Sequence, residues 1–219
     1  MALNEKDLWF AVFLGANIWI VWGAALLAGY LCGSIPFGYL FSRMAGLGDI
    51  RKIGSGNIGA TNVLRTGKKS LAAATLFFDA AKGFVPVLIA RQYLGMEAAM
   101  AVALGAFLGH LFPVWLGFKG GKGVATYIGA ITALYWPAGA FFCGLWLVIA
   151  LVTRYSSLSA LVAAAATPFF VLAMTSVPLF IFLLALSAVL IQRHHQNIRK
   201  LIDGHESKIG QKAAPAKGA

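Results

Sequence analysis

Charge is what this chain lacks most. Of its 219 residues only 11% are charged while 60% are hydrophobic, whereas a soluble domain usually carries about 25% charged residues. So little charge cannot cover a water-facing surface, which excludes an ordinary soluble fold and leaves lipid as the natural solvent. Cysteine is scarce too: Cys32 and Cys143 sit in apolar runs without paired spacing, so neither a disulfide framework nor a thiolate metal site is indicated. The formal net charge of +11 is often a sign of nucleic-acid binding. Here the cations gather in a few short segments between apolar runs, as cytoplasmic loops of membrane proteins do, and no nucleic-acid partner is expected. The first eight residues set Glu5 and Asp7 against Lys6. They lack a basic n-region and a small-residue cleavage site, so no cleaved leader is expected.

What is present is a succession of apolar runs. A spanning helix needs about 20 mostly apolar residues. Candidates occupy residues 8–45, 71–89, 98–116, 124–134, 137–152, 158–174 and 179–191. The first is longer than one crossing needs and leaves room for two short helices; some of the others are short enough to need tilting or a thinned bilayer. Arg43, Arg51, Lys52, Arg65, Lys68 and Lys69 follow the first run, Lys119 and Lys122 the third, Arg154 the fifth, and Arg193, Arg199, Lys200 and Lys208 the seventh. The alternate connections hold Arg91 beside Glu97 or no charge at all. The expectation is an all-α integral membrane protein of about seven transmembrane helices, N-terminus outside and C-terminus cytoplasmic. Residues 1–209 form its single polytopic domain, 1–16 being an N-terminal extension, and 210–219 form a disordered basic tail. No internal repeat is visible, and the polar residues collect at one membrane face rather than at the midplane where transporters keep theirs.

Three polar segments carry the chemistry. Residues 54–62 read Gly-Ser-Gly-Asn-Ile-Gly-Ala-Thr-Asn. The glycines fit the dinucleotide-binding spacing, yet that motif requires a preceding strand, and a membrane helix precedes it here. Glycines still let backbone N–H groups approach an anion. Ser55, Asn57 and Thr61 add donors, and Arg65 offers a forked cation for phosphate; a flexible loop capping the next helix would use the same residues. Phe118-Lys119-Gly120-Gly121-Lys122-Gly123 is not a Walker A loop, since no Ser or Thr follows the lysine. It reads either as a compact cationic concavity or as a positive-inside turn at lipid headgroups. In Arg193-His194-His195-Gln196-Asn197, His194 and Asn197 stand three apart and share one face of a continued helix. With no acidic or thiol ligand nearby in sequence, no metal is expected. Asp79 and Lys82, inside the second run, are costly in a membrane and spaced for a mutual ion pair. Arg154 and Ser157 suit either ligand donors or an ordinary helix end.

Taken together these segments resemble the bacterial acyl-phosphate-dependent glycerol-3-phosphate acyltransferase family. The likeness spans about residues 31–206. It runs through Gly33-Ser34-Ile35-Pro36, Asp49-Ile50-Arg51, residues 54–62 with Arg65, Gly109-His110 with residues 118–125, His194-x-x-Asn197-Ile198-x-x-Leu201, and Gly204-His205-Glu206. The resemblance implies a membrane acyltransferase domain in the bacterial cytoplasmic (inner) membrane with its site at the cytoplasmic face. It implies acyl phosphate and glycerol 3-phosphate as substrates, lysophosphatidic acid and phosphate as products, no cofactor, and transient contact with a soluble acyl-phosphate-forming enzyme. On the same basis Ser55, Gly56, Asn57, Thr61 and Arg65 would hold the acyl phosphate. Arg51, Lys119, Gly120, Gly121, Lys122, Gly123, Ser157, His194 and Asn197 would hold glycerol 3-phosphate. Ser55, Asn57, Lys122, His194 and Asn197 would be the catalytic set.

An acyl phosphate is already activated, so positioning and stabilisation of negative charge are the main demands. No Ser-His-Asp order is evident, and the His-x₄-Asp pattern of other acyltransferases is absent: Trp115 and Arg199 stand at the relevant places after His110 and His194. Direct transfer without an acyl-enzyme is therefore expected, the proton going to His194 or to a substrate phosphate oxygen. A transporter of a phosphorylated metabolite is the alternative reading.

Overall fold

The computed structural model describes residues 17–211; the expected N-terminal extension and residues 212–219 of the expected tail lie outside them. Among the described residues there are ten α-helices and no strands. They are α1 Ile18–Gly33, α2 Phe37–Met44, α3 Ala60–Leu64, α4 Lys69–Leu94, α5 Met96–Leu111, α6 Val124–Leu134, α7 Trp136–Thr153, α8 Ser156–Met174, α9 Val177–Arg193 and α10 His195–Ile202, with 3₁₀ turns at Ile50–Lys52 and Val114–Leu116. Among the described residues each apolar run is mainly helical. The first splits at residues 34–36, where Pro36 cannot donate into a continuing helix, giving two helices in line with the double reading of that run. By length and composition Ile18–Met44, Lys69–Leu94, Met96–Leu116, Trp136–Thr153 and Ser156–Met174 can each cross a membrane, and the pair α9–α10, bent by 59°, gives a sixth span. The chain is therefore an all-helical integral membrane protein.

The short α6 explains itself by burial. Its 11 residues rise only about 17 Å at the helical pitch, against a hydrocarbon core about 30 Å thick. Thr126, Tyr127, Gly129, Ala130, Ile131, Ala133 and Leu134 are all buried, so neighbouring helices rather than lipid solvate most of it. Its Tyr127 hydroxyl meets the Ser187 hydroxyl of α9 at 2.8 Å, which satisfies two polar groups in an apolar interior.

Helix pairs approach through glycine, as they do where no hydrophobic force separates helix from lipid. A Cβ on Gly29 or Gly33 of α1 would lie 2.2 or 2.0 Å from a carbonyl oxygen of α5. One on Gly105 or Gly109 of α5 would lie 2.1 or 2.2 Å from a carbonyl oxygen of α1. Both helices thus carry a Gly-x-x-x-Gly step facing the other. The pairing of α4 with α6 repeats the device, with Gly83 against Thr126 and Gly129 against Ala80. Replacing any of these glycines must push backbone from backbone, and overpacking of that kind typically costs about 1–3 kcal/mol.

The costly charges of α4 are paired. Lys82 Nζ stands 2.7 Å from Asp79 Oδ1, with both side chains almost wholly buried. It also donates to the Ile35 carbonyl at 2.7 Å, within the break between α1 and α2 where a carbonyl has lost its helical donor. A single charge at the centre of a membrane helix costs about 2.5–3.5 kcal/mol on insertion scales, so the pair is the form in which either residue is tolerated.

Candidate active site

At one end of the bundle lie the 45–59 connection, the 112–123 connection, the α7–α8 turn, α10 and the segment 203–211. The first loop begins at Asp49, whose Oδ1 accepts from the Arg51 backbone N–H at 3.0 Å and caps the 3₁₀ turn. Arg51 returns its guanidinium to the same carboxylate at 2.7–3.1 Å. The Arg51 hydrogen bond holds the Asp49 carboxyl down at about 2, and the Arg51 guanidinium is pushed up by the same bond. Arg51, expected at a phosphate, is thus committed to its neighbour.

The loop itself is organised by Asn62, a residue the sequence reading left without a role. Its Oδ1 accepts from Ser55 N at 2.9 Å and Ser55 Oγ at 3.2 Å. Its Nδ2 faces the carbonyls of Ile50, Ile53 and Asn57 at 3.1, 2.9 and 2.8 Å. Gly54 has φ +57°, and a Cβ there would stand 2.5 Å from Asn62 Oδ1, so glycine is required twice over. Ile50, Ile58, Val63 and Ala72 form a small core beneath. Gly56 N–H donates to Ile53 O at 3.1 Å. The amide donors expected of Ser55 and Gly56 are therefore engaged within the loop, because a turn this tight folds its N–H groups back onto its own chain. The Asn57 side-chain oxygen is buried without a hydrogen bond. Thr61 meets Ser156, the first residue of α8, at 3.4 Å between hydroxyls.

The second loop likewise commits two amides to backbone carbonyls. Gly120 N–H donates to Leu111 O at 3.1 Å and Gly121 N–H to His110 O at 3.0 Å, so neither amide is directed at an anion. Glycine is demanded here by closeness: a Cβ on Gly121 would lie 2.1 Å from His110 Nε2, and one on Gly123, with φ +84°, 2.4 Å from the Phe107 ring. Arg193 Nη2 donates to the Gly121 carbonyl at 3.3 Å, and its guanidinium lies 5.1 Å over the Phe112 ring. The Lys119 side chain is exposed and stands apart from the cluster. The Lys122 side chain does not: its Nζ donates to Asn197 Oδ1.

A carboxylate ties the remaining donors together, and it too was overlooked. Glu206 Oε1 accepts from Ser157 Oγ at 2.7 Å and from Asn197 Nδ2 at 2.8 Å. Its neighbour Ser207 takes a hydrogen bond from the Arg65 guanidinium. The following strap pairs Ile209 N–H with the Arg154 carbonyl at 2.7 Å, and Gln211 closes a turn on Lys208. Residues 210 and 211, the first two of the expected tail, fall in this strap. Arg65, Lys122, Ser157 and Asn197, spread over 133 residues of sequence, meet around one acidic group. Burial pushes the Lys122 ammonium down to about 8, against the opposing pull of Glu206. Burial likewise lowers Arg65, with Glu206 again opposing.

His194 is buried beside this cluster but is not on a continued helix: it occupies the bend between α9 and α10. Its Nδ1 lies 2.7 Å from the Leu190 carbonyl. A carbonyl only accepts, so Nδ1 carries the proton and a neutral ring leaves Nε2 as the acceptor. Asn197, in the first turn of α10, reaches the cluster because the bend turns that helix across the bundle end. No group of three or more His, Cys, Asp or Glu is arranged to hold a metal among the described residues.

A family model described as glycerol-3-phosphate acyltransferase matches residues 23–204. A protein of that description from Rhodopseudomonas palustris (strain BisB5) is 60% identical over 189 residues, covering 86% of this chain and 96% of its own. One from Brucella anthropi is 55% identical over 188 residues, covering 86% and 93%. The crystal structure of PlsY, an integral membrane glycerol 3-phosphate acyltransferase, in its glycerol 3-phosphate form matches with TM-score 0.82 and 38% identity, covering 86% of this chain and 96% of that one. Its lysophosphatidic acid form matches with TM-score 0.80 and 36% identity, covering 86% and 95%. Sequence and fold agree, and the chain belongs to the glycerol-3-phosphate acyltransferase family, the integral membrane acyltransferases of phospholipid synthesis.

Proposed function

We propose that this acyltransferase takes its acyl group from an acyl phosphate and delivers it to the C1 hydroxyl of glycerol 3-phosphate, at the cytoplasmic face of the bacterial inner membrane. The observation that carries this reading is the convergence of two cations, Arg65 and Lys122, with Ser157, Asn197 and His194 between two tight glycine turns. Both substrates bring a phosphate, and two cations beside neutral donors meet two anions. The solved relatives in glycerol 3-phosphate and lysophosphatidic acid forms support the acceptor and the product. We assign the Lys122 side to glycerol 3-phosphate, with Ser157, Asn197 and His194. The Arg65 side, with Ser55, Asn57 and Thr61, takes the acyl phosphate. Since the Gly56, Gly120 and Gly121 amides are hydrogen-bonded within their loops, the glycines serve to let the turns close on Asn62, His110 and Phe107, and the side chains supply the charge.

The chemistry is a single displacement at the acyl carbon. The C1 oxygen bonds to the carbonyl carbon, negative charge gathers on the carbonyl oxygen, and the bond to the phosphate oxygen breaks with its electron pair leaving on inorganic phosphate. Lys122 and Arg65 stabilise charge that grows in that step, the kind of term worth about 100-fold or more per donor. The hydroxyl proton has two acceptors in reach of the chemistry, His194 Nε2 and a substrate phosphate oxygen. If His194 takes it, His194→Ala lowers kcat by about 100-fold or more; near-normal kcat assigns the proton to phosphate.

The decisive experiment supplies the purified protein with labelled glycerol 3-phosphate and, in parallel, acyl phosphate, acyl-CoA or an acyl carrier protein thioester. Labelled lysophosphatidic acid is expected from acyl phosphate alone, and product from acyl-CoA alone overturns the donor. Orientation is read by impermeant thiol labelling of Lys119→Cys and Tyr93→Cys in oriented vesicles. The first is expected to react from the cytoplasmic side and the second from the opposite one.

A further inference from the structure

Behind the second glycine turn stands a buried charge cluster that the chemistry above does not use. Asp79 and Lys82 of α4 are paired at 2.7 Å, and the His110 Nδ1 of α5 faces the same Asp79 oxygen at 3.7 Å. That separation is beyond hydrogen-bonding range and close enough for a charge to orient a ring. All three residues are nearly sealed from solvent. The α6 helix closes the other side, where Thr126 Oγ1 donates to the Asp79 carbonyl at 2.9 Å.

The cluster is not centred on helix packing; it runs toward the site. At one end Lys82 holds the Ile35 carbonyl in the α1–α2 break. At the other, His110 touches the glycine turn twice, its carbonyl accepting the Gly121 N–H and its ring filling the place where a Gly121 side chain would be. The next residue is Lys122, which meets Asn197. A line of contacts therefore leads from the helix break through Lys82, Asp79, His110 and Gly121 to the ammonium at the site.

We propose that the Asp79–Lys82–His110 cluster is a positioning device for glycerol 3-phosphate: it fixes the imidazole on which Gly121 is folded and thereby fixes where Lys122 presents its charge. The inference rests on the assignment of Lys122 to glycerol 3-phosphate. None of the three residues touches substrate; they act through the turn.

The test is steady-state kinetics with both substrates varied, for His110→Ala, Gly121→Ala and their double variant, for the charge-free pair Asp79→Asn/Lys82→Met, and for Lys122→Ala. His110→Ala and the charge-free pair are each expected to raise the glycerol 3-phosphate KM by about tenfold, the loss expected when a charge-assisted hydrogen bond to the phosphate is weakened, with the acyl-phosphate KM unchanged. Gly121→Ala is expected to do the same, because its Cβ strikes the ring. The double variant, with the ring gone, is expected to be no worse than either single change, a strong non-additivity of contacting residues. Partial misfolding lowers the active fraction, and so kcat, without altering KM. An unchanged glycerol 3-phosphate KM in His110→Ala, or multiplying effects in the double variant, overturns the proposal. If Lys122→Ala itself leaves that KM unchanged, the assignment of Lys122 fails first, and the proposal with it.

Discussion

The turn at residues 54–62 carries its own organising side chain, whereas the turn at 117–123 is held by the Leu111 and His110 carbonyls and by side chains from other helices. In the first, one amide, Asn62, binds Ser55 and three carbonyls, all within 12 residues of itself. In the second, the Leu111 and His110 carbonyls accept the Gly120 and Gly121 N–H groups. His110 lies beneath it, Arg193 grips Gly121, and Lys122 is met by Asn197, 75 residues on. The two look alike in sequence, glycines interleaved with polar residues. Their difference is that one side chain of its own organises the first, whereas the second is tied down by residues of α5, α9 and α10.

The comparison breaks most sharply at Asn62. Asn62→Ala orphans Ser55 N–H and removes the donor to three carbonyls, and each unsatisfied buried group costs about 1–3 kcal/mol. A lowered melting temperature and activity down by about 100-fold or more are the expected readings. Asn62→Asp keeps an acceptor for Ser55 but turns a carboxylate oxygen toward three carbonyls, so the same loss is expected. An active Asn62→Asp protein would show that the first turn also depends on outside support.

At the second turn the largest change is expected from Lys122→Ala, about 100-fold in kcat/KM for glycerol 3-phosphate, with little change in melting temperature. The pH profile sharpens this. Burial lowers Lys122 to about 8, and a phosphate monoester completes its second ionisation near about 6. Both charges are present between those values. As pH rises through about 8 the ammonium is lost, so kcat/KM is expected to fall by about tenfold per pH unit. Lys122→Arg stays charged throughout and is expected to lack that alkaline limb, whatever its absolute rate.

Much of this architecture was readable from residues alone, for reasons the two turns illustrate. Apolar runs and interrupting prolines mark helices directly, and so α6 was delimited at Val124 and Leu134 from the sequence. The Asp79–Lys82 pair followed from its spacing on one helix. Asn62 was within reach too, since it closes the glycine motif. Its role stayed hidden because composition says which groups could bind an anion, not which are already used by a turn. For the same reason residue types alone do not show that the Gly56, Gly120 and Gly121 amides are hydrogen-bonded within their loops. Glu206 was quoted as part of a motif and given no function, because an acid near two phosphates looks unfavourable until Ser157 and Asn197 are seen to need an acceptor. The Gly29/Gly33 and Gly105/Gly109 steps could have announced the α1–α5 contact.

Glu206 provides a smaller and more selective perturbation. Its carboxylate raises the Lys122 pKa against the lowering by burial. Glu206→Gln keeps an oxygen for Ser157 and Asn197 while removing that support. The alkaline limb of kcat/KM is therefore expected to move toward lower pH, with the maximal rate at pH 7 reduced less than by Lys122→Ala. A limb that stays in place would mean that Glu206 does not act on Lys122 through charge.

The smallest effect is expected at Arg51, and it tests whether the first turn is as self-contained as its hydrogen bonds imply. Arg51 is held by both oxygens of Asp49, with 35% of its side chain exposed. Exposed ion pairs contribute only about 0–1 kcal/mol, so Arg51→Ala is expected to leave melting temperature and both KM values nearly unchanged. Because Arg51 holds the Asp49 carboxyl at about 2, the pair stays intact at every pH above that value and adds no feature to the pH profile. Asp49→Asn weakens the cap on the 3₁₀ turn and frees the guanidinium. Were Arg51 a phosphate ligand in its own right, freeing it would lower a substrate KM, and losing it would raise the same one. Opposite movements of one KM in the two variants would place Arg51 back in the site; parallel silence leaves it a brace of the loop.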